Sequence, residues 1–201
     1  MADEIDTYRQ AVALLLKDAG NEAWTVDELD AAIRLALAEL SRRLPQALSA
    51  DVTLSQEGRA VPLPALTGYL WVEEVWWPYT EGQYPPRPVP FAQRDGQLFL
   101  ETEAEPQAGD TVHILYAAMQ TIGGLDGAGS TTLLLAWQGV VIVGAAGHAA
   151  LAKAAAMTRE YSWPNGAATA MRAWGEATLA LFQAKLKELR PPAASAWVTW
   201  R

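Results

Sequence analysis

From Ile5 onward, apolar residues recur at Tyr8, Val12, Leu15 and Ala19, the spacing of one helical face, with Gly20-Asn21 as the expected end. The start of a second helix is better marked. Thr25 followed three residues later by Glu28 forms a capping box, and Trp24 just before it can staple onto Leu29. Leu29, Ile33, Leu37, Leu40 and Leu44 then make one stripe, opposite Asp30, Arg34 and Arg42, until Pro45 prevents continuation. Between Asp51 and Gln120 the period falls to two, with turn residues every eight to twelve positions, which predicts short strands. Val52 and Leu54 alternate, Val61 and Leu63 follow Glu57-Gly58, and Tyr69 to Trp77 is an aromatic strand on which Trp71 and Trp77 share parity. Tyr84-Pro85-Pro86-Arg87-Pro88 predicts an edge or loop. Phe91 to Gln93 and Gln97 to Leu100 flank the hairpin signal Arg94-Asp95-Gly96, and Val112, Ile114 and Tyr116 mark the last strand.

A third helix is expected from Thr131 through Met157, with Ser130, Thr131 or Thr132 as cap. A fourth follows Trp163-Pro164-Asn165, carries Met171, Trp174, Phe182, Leu186 and Leu189 on one side, and stops at Arg190-Pro191-Pro192. Three or four hairpin-linked strands would need a helical layer over their apolar face. The expected fold class is therefore α+β and mainly α: a four-helix bundle with an inserted small antiparallel β region and an extended C-terminal tail. Residues 1–50 form the N-terminal helical pair and 51–120 the β insertion. Residues 121–190 form the C-terminal pair, packing with 1–50 as one domain, and 191–201 the tail.

Composition narrows the chemistry. The 201 residues contain no Cys and only two His, so neither a disulfide framework nor a thiolate metal site is available. The formal charge of −8 argues against a grip on nucleic acid through phosphates. Residues 1–50 carry nine acids and five bases, residues 51–110 ten and three, residues 111–201 four and seven. Such polarity suits a part inside an assembly, which meets different neighbours on different faces. The acidic start Met1 to Gln10 lacks the features of a secretory signal, which predicts that the chain stays where it is made.

Gly127 to Ala152 holds no charge and is long enough to cross a bilayer. Gln138, His148 and the many alanines favour a buried central helix, and no membrane partner is expected. Its small residues allow close helix approach and make Gly139, Gly144 and Gly147 candidate subunit-packing positions. Gly123 to Ser130 lacks the Lys and Ser/Thr of a phosphate loop and reads as a flexible linker. His113, in a strand, and His148, in an apolar helix, are the only imidazoles for a hydrolytic relay. Glu73 and Glu74 point to opposite faces of a strand, and Glu101, Glu103 and Glu105 read as a solvated strand edge. No catalytic, cofactor-binding or metal-binding residue is assigned, and no enzyme is expected. Trp71, Trp76, Trp77, Tyr79 and Tyr84 could form a carbohydrate-binding platform or an anchor for another protein. Trp24 is expected as a staple, Trp137 and Trp174 in the helical core, and Trp163 in the last interhelical turn. Trp197 and Trp200 then stand without an intramolecular reason.

In their order along the chain these residues resemble the head-to-tail adaptor (connector) proteins of tailed bacteriophages. The resemblance rests on Trp24-Thr25-Val26-Asp27-Glu28-Leu29 leading into Ala36-Leu37-Ala38-Glu39-Leu40-Ser41-Arg42-Arg43-Leu44-Pro45. It continues through Pro106-Gln107-Ala108-Gly109-Asp110 and Tyr116-Ala117-Ala118, then Ile122-Gly123-Gly124-Leu125-Asp126-Gly127 and a basic helix with an aromatic tail. It implies a virion protein of the neck, made in the host cytoplasm and assembled as a dodecameric ring. It further implies a portal protein bound through Trp197, Val198, Trp200 and Arg201. The next neck or tail-completion protein would be met through the β region at Trp76, Trp77 and Tyr79. An acid-lined channel would repel phosphates and let DNA pass without specific binding.

Overall fold

A computed structural model describes residues 4–20, 22–64, 66–82, 85–158, 164 and 166–190. The chain divides into two compact units, a helical unit of residues 1–44 and 120–201 and a β unit of residues 45–119. About 44% of the described residues are helical and about 20% lie in strands. The four helices α1 (Glu4–Leu15), α2 (Val26–Arg43), α3 (Leu135–Met157) and α4 (Ala167–Glu188) accompany two small antiparallel sheets. This corrects the expectation of a mainly-α four-helix bundle with a minor insertion. The six strands pair as two sheets around an apolar cluster of their own and amount to a separate unit, where three or four hairpin-linked strands under a helical layer were expected.

In the helical unit α3 is the hub on which α1, α2 and α4 pack. Ile5, Tyr8 and Val12 of α1, the Leu29–Leu44 stripe of α2 and Trp137 to Ala149 of α3 share one core. α2 begins at the expected box: the Thr25 hydroxyl accepts from the Glu28 amide at 3.3 Å while the Glu28 carboxylate accepts from the Thr25 amide at 2.8 Å. α1 stops earlier than Gly20. Lys17 adopts φ +58°, and its amide and that of Asp18 donate to Leu14 and Ala13 carbonyls, a Schellman ending built on a residue other than glycine. α3 starts at Leu135 with no side-chain cap. Of the expected caps, Thr131 accepts from Gly123 N and Thr132 accepts from Thr121 N and donates to Gln120, so both serve the preceding loop instead. That loop is no flexible linker. The Gly123 carbonyl accepts from Ile5 N, a 3-10 turn spans Leu125–Gly127, and Asp126 pairs with Arg34 at 2.8 Å.

The β unit holds β1 (Gln46–Thr53), β2 (Ala60–Pro62), β3 (Tyr69–Trp76), β4 (Phe91–Arg94), β5 (Gln97–Leu100) and β6 (Thr111–Ala118). One sheet is ordered β1-β6-β3 and the other β2-β5-β4. Inward residues of both, Val72, Val75, Val112 and Ile114 from the first and Val61, Leu98 and Leu100 from the second, form one apolar cluster. The sheets thus cover each other's apolar faces, which removes the need for a helical layer there. Asp95 and Gly96 both take positive φ, 50° and 73°, the two-residue turn the hairpin signal predicted. The Pro106–Asp110 motif is a turn in which Asp110 accepts from Gln107 N at 2.9 Å and Gly109 N donates to Leu54.

Candidate interaction surfaces

Two register shifts in β3 against β6, one of them between Val72 and Glu74, reset the parity expected of the aromatic strand. Trp71 is 39% exposed, whereas Trp77 is buried and donates to Asp110 at 3.2 Å. Trp71 and Trp77 therefore do not share a face. Trp76, half-buried, stacks on His113 at 4.9 Å between ring centres, and Tyr79 stacks on the same imidazole at 4.4 Å. The register explains the grouping, since Asp51 of β1 and Trp76 of β3 both lie opposite His113 of β6. Asp51 pairs with His113 Nδ1. Of the three residues assigned to a neck or tail partner, Trp76 and Tyr79 keep some exposed surface and Trp77 points into the core. An open sugar platform would need its rings side by side on a free face; among the described residues Trp71 alone of the three strand tryptophans is exposed.

Glu101, Glu103 and Glu105 follow the end of β5 at Leu100, so they do not line a strand edge as expected. His148 of α3 meets Glu39 of α2 at 2.9 Å, and Gln183 of α4 donates to the other oxygen of the same carboxylate. That trio ties three helices. Among the described residues no group of three or more His, Asp or Glu is arranged to hold a metal.

Of the glycines assigned to subunit packing, two face the chain's own α4. A Cβ on Gly144 would stand 2.8 Å from the Phe182 ring, and one on Gly147 would stand 2.8 Å from the Leu179 side chain. Gly139 meets nothing within 4 Å and is exposed. α3 is long and apolar enough to cross a bilayer by length and composition, and 56% of its most apolar window is buried inside the helical unit. Trp197, Val198, Trp200 and Arg201, assigned to the portal, lie outside the described residues, as does Trp163.

The sequence reading missed the outward face of α4. Trp174, expected in the core, is 40% exposed, and Leu181, one heptad on, is 50% exposed. A 22-residue helix that buries only Gly175, Phe182 and Leu186 has a second apolar side, and the seven-residue repeat of Trp174 and Leu181 was the available signal. Beside Trp174 a mainly apolar groove of about 330 Å³ is lined by Leu15, Leu16, Trp24, Ala170 and Met171, with Lys17 at its wall. Leu14 is also exposed, and Leu135 at the start of α3 is 83% exposed.

The joint between α1 and α2 was missed as well. Asp18 is buried, and its carboxylate accepts from the amides of Glu22, Ala23 and Trp24 at 2.9, 3.1 and 3.0 Å. Burial alone would raise its pKa; these three backbone bonds, with Lys153 nearby, outweigh burial and hold it below the ordinary carboxylate value. Lys153 donates to the Ala23 carbonyl at 2.7 Å and lies over the Trp24 ring. No model of a known protein family matches the chain, and no curated protein sequence is significantly similar to it.

Proposed function

We propose that the chain is a structural protein of a tailed-bacteriophage neck, a head-to-tail adaptor whose copies form a ring beneath the portal. The ring would continue the DNA channel to the next neck or tail component and perform no chemistry. The observation that carries this reading is the set of large apolar side chains left open on the helical unit, Leu14, Leu135, Trp174 and Leu181. Trp174 and Leu181 lie one heptad apart on one helix, with Trp174 at a groove, and a contiguous exposed apolar patch marks an interaction surface. Two further features support it. The motifs behind the resemblance are the structural joints of both units: the α2 capping box, the Pro106–Asp110 turn and the wired loop before α3. The charge is also divided, ten acids and three bases in the β unit against thirteen and twelve in the helical unit. Helical units can meet without strong repulsion, while acidic β units suit a surface that lets DNA slide past.

Electron microscopy of the purified chain, alone and mixed with the portal protein of the same virion, tests the reading. A ring that seats on the portal is expected. Deleting Ala193 to Arg201 should abolish seating and leave a folded subunit; a monomer that neither assembles nor binds a portal would overturn the assignment.

A further inference from the structure

The last turns of α2 and α4 come together in the helical unit, where Glu39, Arg42, Arg43, Gln183, Leu186 and Lys187 line an open concavity of about 540 Å³. Some cations belong there, because the carbonyl ends of helices carry negative partial charge. Arg43 meets that need: its Nε donates to the Leu186 carbonyl at 2.6 Å and its Nη2 to that of Lys187 at 3.1 Å. Glu39, the single acid of the lining, is engaged by His148 and Gln183. Arg42 and Lys187 are exposed and, among the described residues, make no hydrogen bond or ion pair. The half-buried Lys185 and the exposed Arg190 add charge of the same sign, against Glu188 as the one further acid at that end of α4. We infer that this basic concavity takes the acidic β unit of a second copy, through the carboxylates of Glu101, Glu103 and Glu105.

The division of charge within the chain selects the occupant. The β unit holds ten acids and three bases, so two β units brought together repel, whereas a β unit on this concavity is attracted. Glu101, Glu103 and Glu105 are exposed, and among the described residues their carboxylates pair with no cation. Arg59 reaches this stretch but donates to the Glu103 carbonyl oxygen at 3.3 Å, not to a carboxylate. Exposed ion pairs are individually weak, so these charges set partner and register while apolar surface supplies affinity. The contact joins different surfaces of successive copies, the heterologous kind that builds a ring when its rotation closes. The commitment to a second copy rests on the ring reading above; the charges say which surfaces meet. The other acids of the β unit stay available to the channel.

Charge reversal on the full chain tests it, with sedimentation and electron microscopy as readouts. One variant carries Arg42→Glu with Lys187→Glu, and the other Glu101→Lys, Glu103→Lys and Glu105→Lys. Each should keep the wild-type circular dichroism and fail to self-associate. An equal mixture of the two should associate again, because every reversed surface then faces its opposite, and one chain carrying all the changes should do the same. Wild-type association should weaken by about tenfold or more towards 1 M salt, where the screening length is about 3 Å. If a reversed chain loses its folded spectrum, Arg42→Gln with Lys187→Gln takes its place and should weaken association and flatten its salt dependence. Unchanged association of either variant, no association in the mixture of folded variants, or a wild-type chain that stays monomeric would each overturn the contact. A ring that forms regardless of these charges keeps the adaptor reading and removes the contact. Copies that pair through them but neither close into a ring nor seat on a portal keep the contact and remove the adaptor reading.

Discussion

In the helical unit charged groups are tied into the framework: Arg9 of α1 grips both oxygens of Asp30 on α2 at 2.7 Å, and Asp18 collects three backbone amides. The bidentate bond to Asp30 also raises the pKa of Arg9, which keeps the guanidinium charged. In the β unit the ten acids are balanced by only three bases, and the apolar cluster between the sheets contains no charge. The helical unit therefore depends on specific long-range polar joints as well as on its core. The β unit depends on strand pairing, tight turns and a small core; apart from Asp51 on His113 and Asp110 in its turn, its excess of acids sets a field. One arrangement fixes geometry, the other sets a potential.

The largest effects should come from the two cores. Phe182→Ala removes a ring with no exposed surface that fills the space above Gly144, and should cost about 3–5 kcal/mol. Ile114→Ala, fully buried between the sheets, should cost about 2–5 kcal/mol. Hydrogen exchange separates the outcomes. The first substitution should lower protection in residues 4–44 and 120–190 and the second in 45–119. If both lower protection throughout by the same amount, the chain unfolds as one unit and the contrast fails.

Next in size is the polar joint between α1 and α2. Asp18→Ala strands the buried Trp24 amide and the part-buried amides of Glu22 and Ala23, and should destabilise the helical unit by about 1–3 kcal/mol, read from denaturant midpoints. Its pH dependence carries a definite sign. The folded carboxyl is depressed, so the contribution is fully present above the ordinary Asp value of about 3.9 and is lost as pH falls through the lower folded value. The gap between wild type and Asp18→Ala should therefore be flat at neutral pH and close on strong acidification. A gap that stays constant into acid would show that Asp18 acts through packing alone. Lys17→Gly comes next: with φ at +58°, relief of the left-handed strain should stabilise by about 1 kcal/mol.

Local patterns were legible where one residue type has one physical use. The Thr25–Glu28 box, the Asp95-Gly96 turn and the Val112/Ile114 alternation all depend on neighbours in sequence, and each lies where the pattern placed it. What the pattern could not carry was decided at a distance. The bulge in β3 turned Trp77 inward, Lys17 took a glycine's conformation because the α1–α2 joint holds Asp18, and Thr131 and Thr132 were drawn from capping into the preceding loop. Trp174 looked like core because helical periodicity reports which residues share a face and says nothing about whether that face is covered. The surfaces proposed for partners share this difficulty, since apolar residues that meet a partner and those that meet the chain's own core have the same periodicity.

The smallest effect separates those two uses within a single helix. Gly144 and Gly139 both interrupt α3, where glycine costs about 1 kcal/mol relative to alanine. At Gly144 the added Cβ would meet the rigid Phe182 ring at 2.8 Å, so strain between α3 and α4 should outweigh the propensity gain and Gly144→Ala should destabilise. At Gly139 nothing lies within 4 Å, so Gly139→Ala should stabilise the isolated chain by about 0.5–1 kcal/mol, read as a raised thermal midpoint. The same substitution bears on assembly. If Gly139 admits a neighbouring subunit closely, the methyl that stabilises the monomer should weaken the ring, and the two effects should have opposite signs in one variant. A Gly139→Ala chain that is more stable and assembles as well as wild type would remove Gly139 from the subunit contact. Close approach at α3 would then be confined to Gly144 and Gly147, against the chain's own α4.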